Sequence, residues 1–274
     1  MKKITHEELK QIQLGILDNI HEFCEKHGLA YFLSSGTLIG AVRHKGYIPW
    51  DDDLDIYMLR PDYDKFVRKF SENPPENTRL RALENCPEYQ YAFAKVIDAR
   101  TVLIEKAFGE KFELGVYVDV FPLESVPDKP LFFLLWFGIL TKLKRLSSLA
   151  LEARLRKTKF FSNAKTPLRK IIKFAFYPLA RAISYRVYLR IYDAIAKRHN
   201  AHSKYVYNMS CGAGIHTCFR RSAISGTTNI EFEGKTYKTM IGYKEYLYAT
   251  YGDFTQLPPA EKQISNHDFV VHWK

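Results

Sequence analysis

The sequence has few cysteines and no long uncharged apolar segment. Its four cysteines, Cys24, Cys86, Cys211 and Cys218, are scattered along the chain, which excludes a disulfide framework and predicts a protein of a reducing compartment. The amino terminus is basic, but no apolar stretch follows that would make it a secretory signal. The longest apolar run, residues 131–140, is too short to span a bilayer.

Several common catalytic and metal-binding motifs are also missing. The sequence has no G-x-S-x-G turn, which argues against a serine or cysteine nucleophile of that type. No glycine falls at the sixth position of an acidic loop, which excludes an EF-hand. Cys211, His216 and Cys218 lie close together but fit no common zinc spacing, and small buried cysteines are the alternative interpretation.

The positive charge of the chain is concentrated in one segment. The 274 residues are 46% hydrophobic and 26% charged, typical of a globular protein, with a formal net charge of +11. Residues 131–200 contain sixteen Lys or Arg and two acids, whereas the rest of the chain sums to −3. This distribution predicts a core of residues 1–130, a basic insertion of residues 131–200 and a return to the core in residues 201–274.

The basic insertion also carries apolar residues at helical spacing. Ile171, Phe174 and Leu179 recur between the cations, and Pro167 and Pro178 are expected to divide the segment into several helices. Basic helices with an apolar side favour an anionic membrane surface. A solvated basic face is the alternative. Nucleic acid is not expected as a partner, because the aromatic residues lie in apolar runs rather than at stacking positions.

The remaining sequence patterns predict an α/β (α+β) fold. A capping box at Thr5 and Glu8 begins the first helix, and Gly28 is expected to end it. A helix led by Pro61 is expected over 62–70, and another over 243–251 before a polar tail. Strands are expected over 29–33, 53–59, 91–97, 101–105 and 115–121, the third and fourth of these as a pair.

The most distinctive local feature is a run of four carboxylates, Asp51, Asp52, Asp53 and Asp55. On a strand, Asp53 and Asp55 would share one face, and two carboxylates on one face form a Mg²⁺ site when substrate phosphates supply further oxygens. Asp119 has a similar apolar frame, so all three acids converge if their strands pair. A solvated loop or a structural Ca²⁺ site is the alternative for an acidic run.

Other residues near the acidic run suggest a phosphate-binding site. Gly36 and Thr37 lie at a strand-to-helix turn, where backbone N–H groups and a hydroxyl can bind a phosphate. Arg43, His44 and Lys45 lie between this turn and the acids and could neutralise a diphosphate. Lys95 could reach the same group or form a structural ion pair with a neighbouring acid.

The segment FLSSGTLIGAVRHKGYIPWDDDLDIYMLRPDY resembles the signature of the LicD family of bacterial phosphocholine transferases, to which the fukutin-related proteins are similar. GVYVDVFP and YLYATYGDFTQLPP are similar to later blocks of that family. The resemblance implies a nucleotidyltransferase-like mixed sheet flanked by helices. It also implies that Gly36 and Thr37 form the glycine turn, that Asp53, Asp55 and Asp119 are catalytic metal ligands, and that Asp52 belongs to the substrate site.

The same resemblance implies the reaction. Family members transfer a phospho-alcohol from a CDP-alcohol to a glycan hydroxyl, with Mg²⁺, or alternatively Mn²⁺, as cofactor. Asp119 would be a third ligand or would accept the hydroxyl proton, and His267 would contact substrate or fasten the tail. We expect such an enzyme at the inner face of the cell membrane. The alternatives are a nucleotidyltransferase acting on a small molecule, protein or RNA, and a docking protein that has lost catalysis.

Overall fold

The computed structural model describes residues 2–106, 114–155, 166–198, 203–210, 218–265 and 267–274. Within them the chain folds as a mixed sheet flanked by helices, which confirms the α+β class. The helices are α1 His6–His27, α2 Ser35–His44, α3 Arg60–Glu72, α4 Pro130–Leu155, α5 Pro167–Ala182, α6 Tyr185–Ala196 and α7 Tyr243–Tyr251. The strands are β1 Phe32–Leu33, β2 Asp55–Leu59, β3 Thr78–Arg81, β4 Ala94–Asp98, β5 Thr101–Glu105, β6 Tyr117–Ser125, β7 Tyr205–Tyr207, β8 Phe219–Arg220, β9 Thr227–Phe232, β10 Lys235–Met240 and β11 Phe269–Trp273.

Helix α1 begins and ends where its capping residues predict. The Glu8 backbone N–H donates to the Thr5 hydroxyl, and the Thr5 N–H donates to the Glu8 carboxylate. Gly28 ends the helix with a φ of +61°, a left-handed conformation that glycine adopts without steric cost. The apolar stripe between these caps is buried, and Leu17 and Ile20 have no exposed surface. The helix therefore packs its apolar side against the sheet.

The main sheet brings two distant parts of the chain side by side. Its strand order is β1-β2-β6-β4-β3, and β7 adds to the far end of β6 with β8 beside it. Strands β2 and β6 are parallel, whereas the other described pairs are antiparallel. Ile56 and Met58 of β2 and Val118 and Val120 of β6 are completely buried. Because these apolar side chains must lie in the core, they fix the register of both strands at the centre of the sheet.

The structure corrects two expectations about the strands. Strand β5 was expected to pair with the strand before it, but it pairs antiparallel with β11, and β4 pairs with β3 and β6 instead. The tail was expected to be polar, yet β11 has the apolar alternation Phe269, Val271 and Trp273. Pairing with β5 satisfies the backbone groups of both segments, which the local sequence did not reveal.

The basic insertion forms a helical subassembly on the core. Helix α4 packs along α6, where Trp136 and Leu140 are buried with Tyr192 and Tyr207. Pro178 was expected to end a helix, but it lies inside α5. An internal proline removes one N–H donor and crowds one carbonyl, and the sixteen-residue helix continues through it. Pro167 is the first residue of α5, a position where proline fits.

Hydropathy along the described helices gives no membrane-crossing candidate. In the parts of the chain that the structure describes, no helix combines the length and the apolar character needed to cross a bilayer. Helix α4 has 26 residues, but its second half contains several cations.

Candidate active site

The pairing of β2 with β6 places the predicted acids together. Asp55 and Asp119 are partners in the parallel register, and Asp53 lies two residues before Asp55, just outside the strand. One carboxylate oxygen from each of the three residues lies within 4.8 Å of the others. The convergence that the sequence predicted for Asp53, Asp55 and Asp119 is therefore confirmed as geometry.

This cluster has the donor set that a hard divalent cation prefers. Carboxylate oxygens suit Mg²⁺ and Mn²⁺, and the three side chains come from rigid or strand-flanking positions. Asp119 is 6% exposed, so the cluster lies at the edge of the core. The residues present fit a divalent metal ion, although their assignment as ligands stays a prediction.

Burial makes the metal-free cluster electrostatically unfavourable. Burial raises the pKa of Asp55 well above its usual range, and the charges of Asp53 and Asp119 add to the shift. Burial also raises the pKa of Asp119 to about 6, although Lys95 opposes the shift. The pKa of Asp51 rises to about 7, mainly through burial and then through the charge of Asp53. A bound cation would relieve this repulsion.

Lys95 is the cation that the structure places inside the cluster. On β4 it lies opposite Asp119 of β6, and its Nζ donates to the Asp119 carboxylate at 2.6 Å. Lys95 is 2% exposed, and its Nζ lies 3.4 Å from the centre of the Tyr117 ring. The sequence left two roles open for Lys95, a contact with the diphosphate or a structural ion pair. The ion pair is present, and a substrate contact stays a prediction. Asp98, on the same strand, forms a separate ion pair with Arg100.

Asp52 belongs to a separate hydrogen-bonded group beside the cluster. Its carboxylate lies 2.7 Å from His267 Nδ1 and accepts a hydrogen bond from the Ser265 hydroxyl at 2.5 Å. His267 Nε2 lies 3.5 Å from Asp53. Burial opposes ionisation of Asp52, but the hydrogen bonds from His267 and Ser265 outweigh it and lower the pKa of Asp52. The hydrogen bond to Asp52 raises the pKa of His267 to about 9.

His267 therefore fastens the segment before β11 to the acidic loop, next to a predicted metal ligand. This contact supports the tail-fastening interpretation of His267, and its reach to Asp53 leaves the substrate role as a prediction. Ser265 has no motif around it, so sequence reasoning missed it. Gln13 of α1 was also missed, and its side-chain amide donates to the Asp52 carbonyl at 2.9 Å. Only their three-dimensional position identifies either residue.

The glycine turn leads into α2 directly beside the acids. A Cβ on Gly36 would lie 2.5 Å from a carboxylate oxygen of Asp51, so this position has room only for glycine unless Asp51 moves. Ser35 adopts a φ of +50° at the start of the helix. The first-turn N–H groups of a helix have no intrahelical acceptors and favour anions. Gly36 thus lies in the first turn of α2 against the Asp51 carboxylate, and a phosphate contact at this turn stays a prediction.

Thr37 contributes to the site in a different way from the one predicted. It is buried, and its hydroxyl accepts a hydrogen bond from the Asp55 backbone N–H at 2.8 Å. The hydroxyl therefore fixes the start of β2, and a phosphate contact by Thr37 stays a prediction. Tyr246 of α7, which the sequence did not indicate, accepts a hydrogen bond from the Ser35 N–H and contacts the Tyr57 hydroxyl.

The three basic residues at the end of α2 do not point into the carboxylate cluster as a group. Arg43 donates to the backbone carbonyls of Phe254 and Gln256 and to the His44 ring. Lys45 is largely exposed and lies 4.0 Å from Glu231 of β9. The structure thus gives Arg43 a role in holding the segment after α7, because its guanidinium is already bonded there. Substrate contacts by Arg43, His44 and Lys45 stay predictions.

Cys211 and His216 of the possible zinc group lie outside the described residues. Cys218 is partly buried as a free thiol, and burial raises its pKa to about 11. In the described part of the chain, the groups with metal-ligand geometry are Asp53, Asp55 and Asp119, and Asp52, Asp53 and His267.

Comparisons with known proteins agree with the geometry. Residues 28–133 match the family model described as LicD/FKTN/FKRP, nucleotidyltransferase domain. Over 283 aligned residues the chain is 31% identical to the lipopolysaccharide cholinephosphotransferase LicD of Haemophilus influenzae, and 97% of each chain is covered. An uncharacterized protein of Rickettsia typhi is 43% identical over 63 residues, which cover 23% of this chain and 20% of that protein. One of Rickettsia prowazekii is 49% identical over 47 residues, covering 17% and 18%.

Proposed function

The chain belongs to the LicD family, and on that premise we propose that it transfers phosphocholine to a hydroxyl group of lipopolysaccharide or a related cell-surface glycan. It is an enzyme of the phosphotransferase class. The observation that carries the proposal is the convergence of Asp53, Asp55 and Asp119 next to a helix amino terminus, in a chain that aligns with a cholinephosphotransferase along nearly its whole length.

The donor in this proposal is a CDP-alcohol, as the family resemblance implies. The acceptor hydroxyl attacks the β-phosphorus and gives up its proton, for which Asp119 is the candidate acceptor if it is not a metal ligand. The bond to the bridging oxygen breaks, and CMP leaves with the electron pair. The N–H groups at the start of α2 bind one donor phosphate. Gly36 leaves room in this turn for the Asp51 carboxylate.

Asp53, Asp55 and Asp119 would hold Mg²⁺, with Mn²⁺ as the alternative. The chemistry that the ion supplies when bound is stabilisation of the charge that develops on the diphosphate oxygens. Lys95 pairs with Asp119, so with all three aspartates ionised the set Asp53, Asp55, Asp119 and Lys95 would carry two net negative charges, which match one divalent cation. This match of charge supports the ligand assignment, because an unmatched buried carboxylate is costly.

In this proposal the basic insertion places the enzyme at the inner face of the cell membrane. Residues 131–200 carry sixteen cations and two acids, a balance that favours the anionic inner face of a cell membrane. A lipid-linked glycan acceptor would be presented at such a surface. The insertion is fixed to the core, since Asp193 of α6 forms an ion pair with Arg60 at 3.1 Å, so membrane binding would also orient the active site.

The test is product analysis with a panel of CDP-alcohols, Mg²⁺ and total glycolipid. We expect CDP-choline to yield CMP and a phosphocholine-modified glycolipid. Asp55→Asn should lower turnover at least about 1,000-fold, because it removes a charge from the metal and phosphate site. Glu72→Gln, an exposed acid on α3, is the matched control and should be unchanged.

Two results would contradict the proposal. Release of pyrophosphate from a nucleoside triphosphate, without CMP from any CDP-alcohol, would indicate a nucleotidyltransferase. Turnover of Asp55→Asn within tenfold of the unmodified enzyme at saturating Mg²⁺ would exclude the carboxylate cluster as the active site.

A further inference from the structure

The first three turns of α4 expose a cluster of large apolar side chains. Leu131, Phe132, Leu134 and Leu135 are 66%, 56%, 57% and 54% exposed, and Ile139 is 47% exposed. Single exposed apolar residues are ordinary on protein surfaces, but five within nine residues form a contiguous patch of the kind that contacts another apolar phase. We refer to these five residues as the α4 tip.

The other side of α4 holds the tip in this orientation. Trp136 and Leu140, on the adjoining side of the helix, are 4% and 0% exposed. They pack with Tyr192 of α6 and with Tyr207 of β7. Because rotation of the helix would expose these two residues, the tip cannot turn inward without losing that packing.

A shallow groove runs along the tip. It has a volume of about 420 Å³ and is lined by apolar residues of α4, Phe132, Leu135 and Ile139 among them, by Ile195 of α6, and by both Asp128 and Lys129 before α4. Lys129, at the mouth of the groove, places its Nζ 5.9 Å from the centre of the Phe132 ring. An apolar trough with a cation at its edge has the two chemistries of an anionic lipid, an acyl chain and a headgroup.

The charge of the insertion favours a lipid surface over a protein partner for the α4 tip. Phe132, Leu135, Ile139 and Lys142 follow one face of α4 at helical spacing, so the apolar face becomes cationic one turn beyond the tip. Arg145, next on the helix, is also exposed. An apolar tip followed by cations matches the depth profile of an anionic leaflet, in which the acyl layer lies below charged headgroups.

Helix α5 repeats this combination of exposed apolar and basic side chains. Ile171 and Phe174, three residues apart, are 66% and 74% exposed, and Arg181 further along the helix is exposed as well. The apolar stripe that the sequence indicated in this helix therefore does not lie in a core at these two positions. Two helices of one insertion thus present unburied apolar residues together with cations.

We infer that the α4 tip enters the acyl layer of an anionic bilayer while Lys129, Lys142 and Arg145 stay among the headgroups. Ten residues of α-helix measure about 15 Å, roughly half of a hydrocarbon core of about 30 Å. The tip therefore enters one leaflet and does not cross it. The inference deepens the membrane association proposed above by adding an apolar anchor to the electrostatic attraction, and it does not depend on turnover.

The test is vesicle binding by the full-length protein. Leu134→Ser/Leu135→Ser keeps every charge and should weaken binding to phosphatidylcholine/phosphatidylglycerol vesicles at least tenfold. Ile241→Ser/Leu257→Ser removes two equally exposed apolar residues elsewhere and should leave binding within twofold. Circular dichroism and the melting temperature of both variants check that they fold.

A second variant reports insertion directly and does not depend on a loss of binding. Phe132→Trp should gain tryptophan fluorescence that brominated lipids quench and that shifts to shorter wavelength on vesicle binding. The unmodified protein gives the background from its own tryptophans. No added quenching, or equal vesicle affinity for the two double-serine variants, would overturn the inference. A dimer that the Leu134→Ser/Leu135→Ser variant abolishes would also overturn it, because the tip would then contact a second copy. CMP release from CDP-choline in detergent tests the proposed function separately.

Discussion

Asp55 and Asp119 are the residues at which the fold carries an unfavourable concentration of negative charge. Their strands pair in register, so the partly buried Asp55 and the buried Asp119 lie side by side with Asp53 next to them. Burial and mutual repulsion favour the protonated forms. The core therefore bears an electrostatic cost in the absence of a cation, as is common where a site is preorganised for a ligand.

This cost predicts a pH effect on stability in EDTA. The pKa of Asp55 is higher in the folded than in the unfolded chain, so its folded state binds more protons. Its contribution to stability is favourable at low pH and declines as the pH rises above about 4, the ordinary pKa of an aspartate. Asp55→Asn should therefore be as stable as the unmodified protein in acid and more stable at pH 7 to 8. Urea unfolding as a function of pH measures this difference.

Magnesium provides the matching control for this measurement. Added Mg²⁺ should stabilise the unmodified protein at pH 7 to 8, because an ion that binds only the folded state shifts the unfolding equilibrium, and should stabilise Asp55→Asn much less. A stability difference between the two proteins that does not change with pH would show that repulsion at Asp55 is not its cause.

Two glycines in helices allow a test of packing at the scale of elements. A Cβ on Gly40 of α2 would lie 2.4 Å from the Gly46 carbonyl oxygen and 3.2 Å from the Ile48 backbone nitrogen, whereas a Cβ on Gly15 of α1 would have no neighbour within 4 Å. Gly40→Ala should destabilise the protein by about 1–3 kcal/mol, because backbone atoms must move. Gly15→Ala should stabilise it by about 0.5–1 kcal/mol, since alanine favours the helix. Thermal or urea unfolding measures both, and an equal effect of the two substitutions would contradict the close approach of α2 to the 46–48 loop.

A buried ion-pair network joins three elements behind the active site. Arg60, at the start of α3, forms two hydrogen bonds with Glu124 of β6 and an ion pair with Asp193 of α6. The side chains of Arg60 and Glu124 are 10% and 2% exposed. Burial opposes the charge of Arg60, but Glu124 outweighs it and raises the pKa of Arg60 further. The network thus fastens the basic insertion to β6, which carries Asp119, and to α3, which directly follows β2.

Removal of one partner of this network should be more costly than removal of both. Arg60→Met leaves Glu124 buried without its cation and should destabilise the protein by about 3–5 kcal/mol. Arg60→Met/Glu124→Met should recover part of that loss, because no buried charge then remains between them. Urea unfolding of Arg60→Met, Glu124→Met and the double variant gives the coupling free energy between the two residues. Additive effects of the single substitutions would contradict a direct interaction.

At the scale of the whole molecule, the separation of charge predicts how salt affects membrane binding. The attraction of the insertion to an anionic surface amounts to about 1 kcal/mol for each cation near the surface. It is screened as the Debye length falls from about 10 Å at 0.1 M salt to about 3 Å at 1 M. Binding to anionic vesicles should therefore fall steeply over this range and be weak on neutral vesicles.

A matched pair of variants locates this attraction. Arg181→Gln/Arg190→Gln removes two exposed cations of the insertion and should weaken vesicle binding, whereas Lys65→Gln/Lys262→Gln removes two exposed cations outside it and should not. Sedimentation with vesicles measures both variants. Equal losses for the two would indicate a general effect of net charge rather than binding through residues 131–200.

The sequence by itself determined the local elements and the chemistry of the site. The Thr5 capping box, Gly28 and the apolar stripe between them fixed α1, because caps and helical periodicity act over a few residues. The apolar frames of Asp55 and Asp119 showed that both acids lie on buried strands. The family signature implied which acids act together and which reaction they would serve.

Only the tertiary structure decided which distant residues meet. It brought Lys95 to Asp119 and His267 to Asp52, bound Arg43 to the 254–256 segment, and paired β5 with β11. These contacts depend on strand order and on which surfaces remain after the core has packed, and neighbouring residues in the chain do not encode them locally. The charge of the insertion is visible in the sequence because it needs only a count of residues. The outward direction of the α4 tip depends on the burial of Trp136 and Leu140, which only the tertiary structure decides.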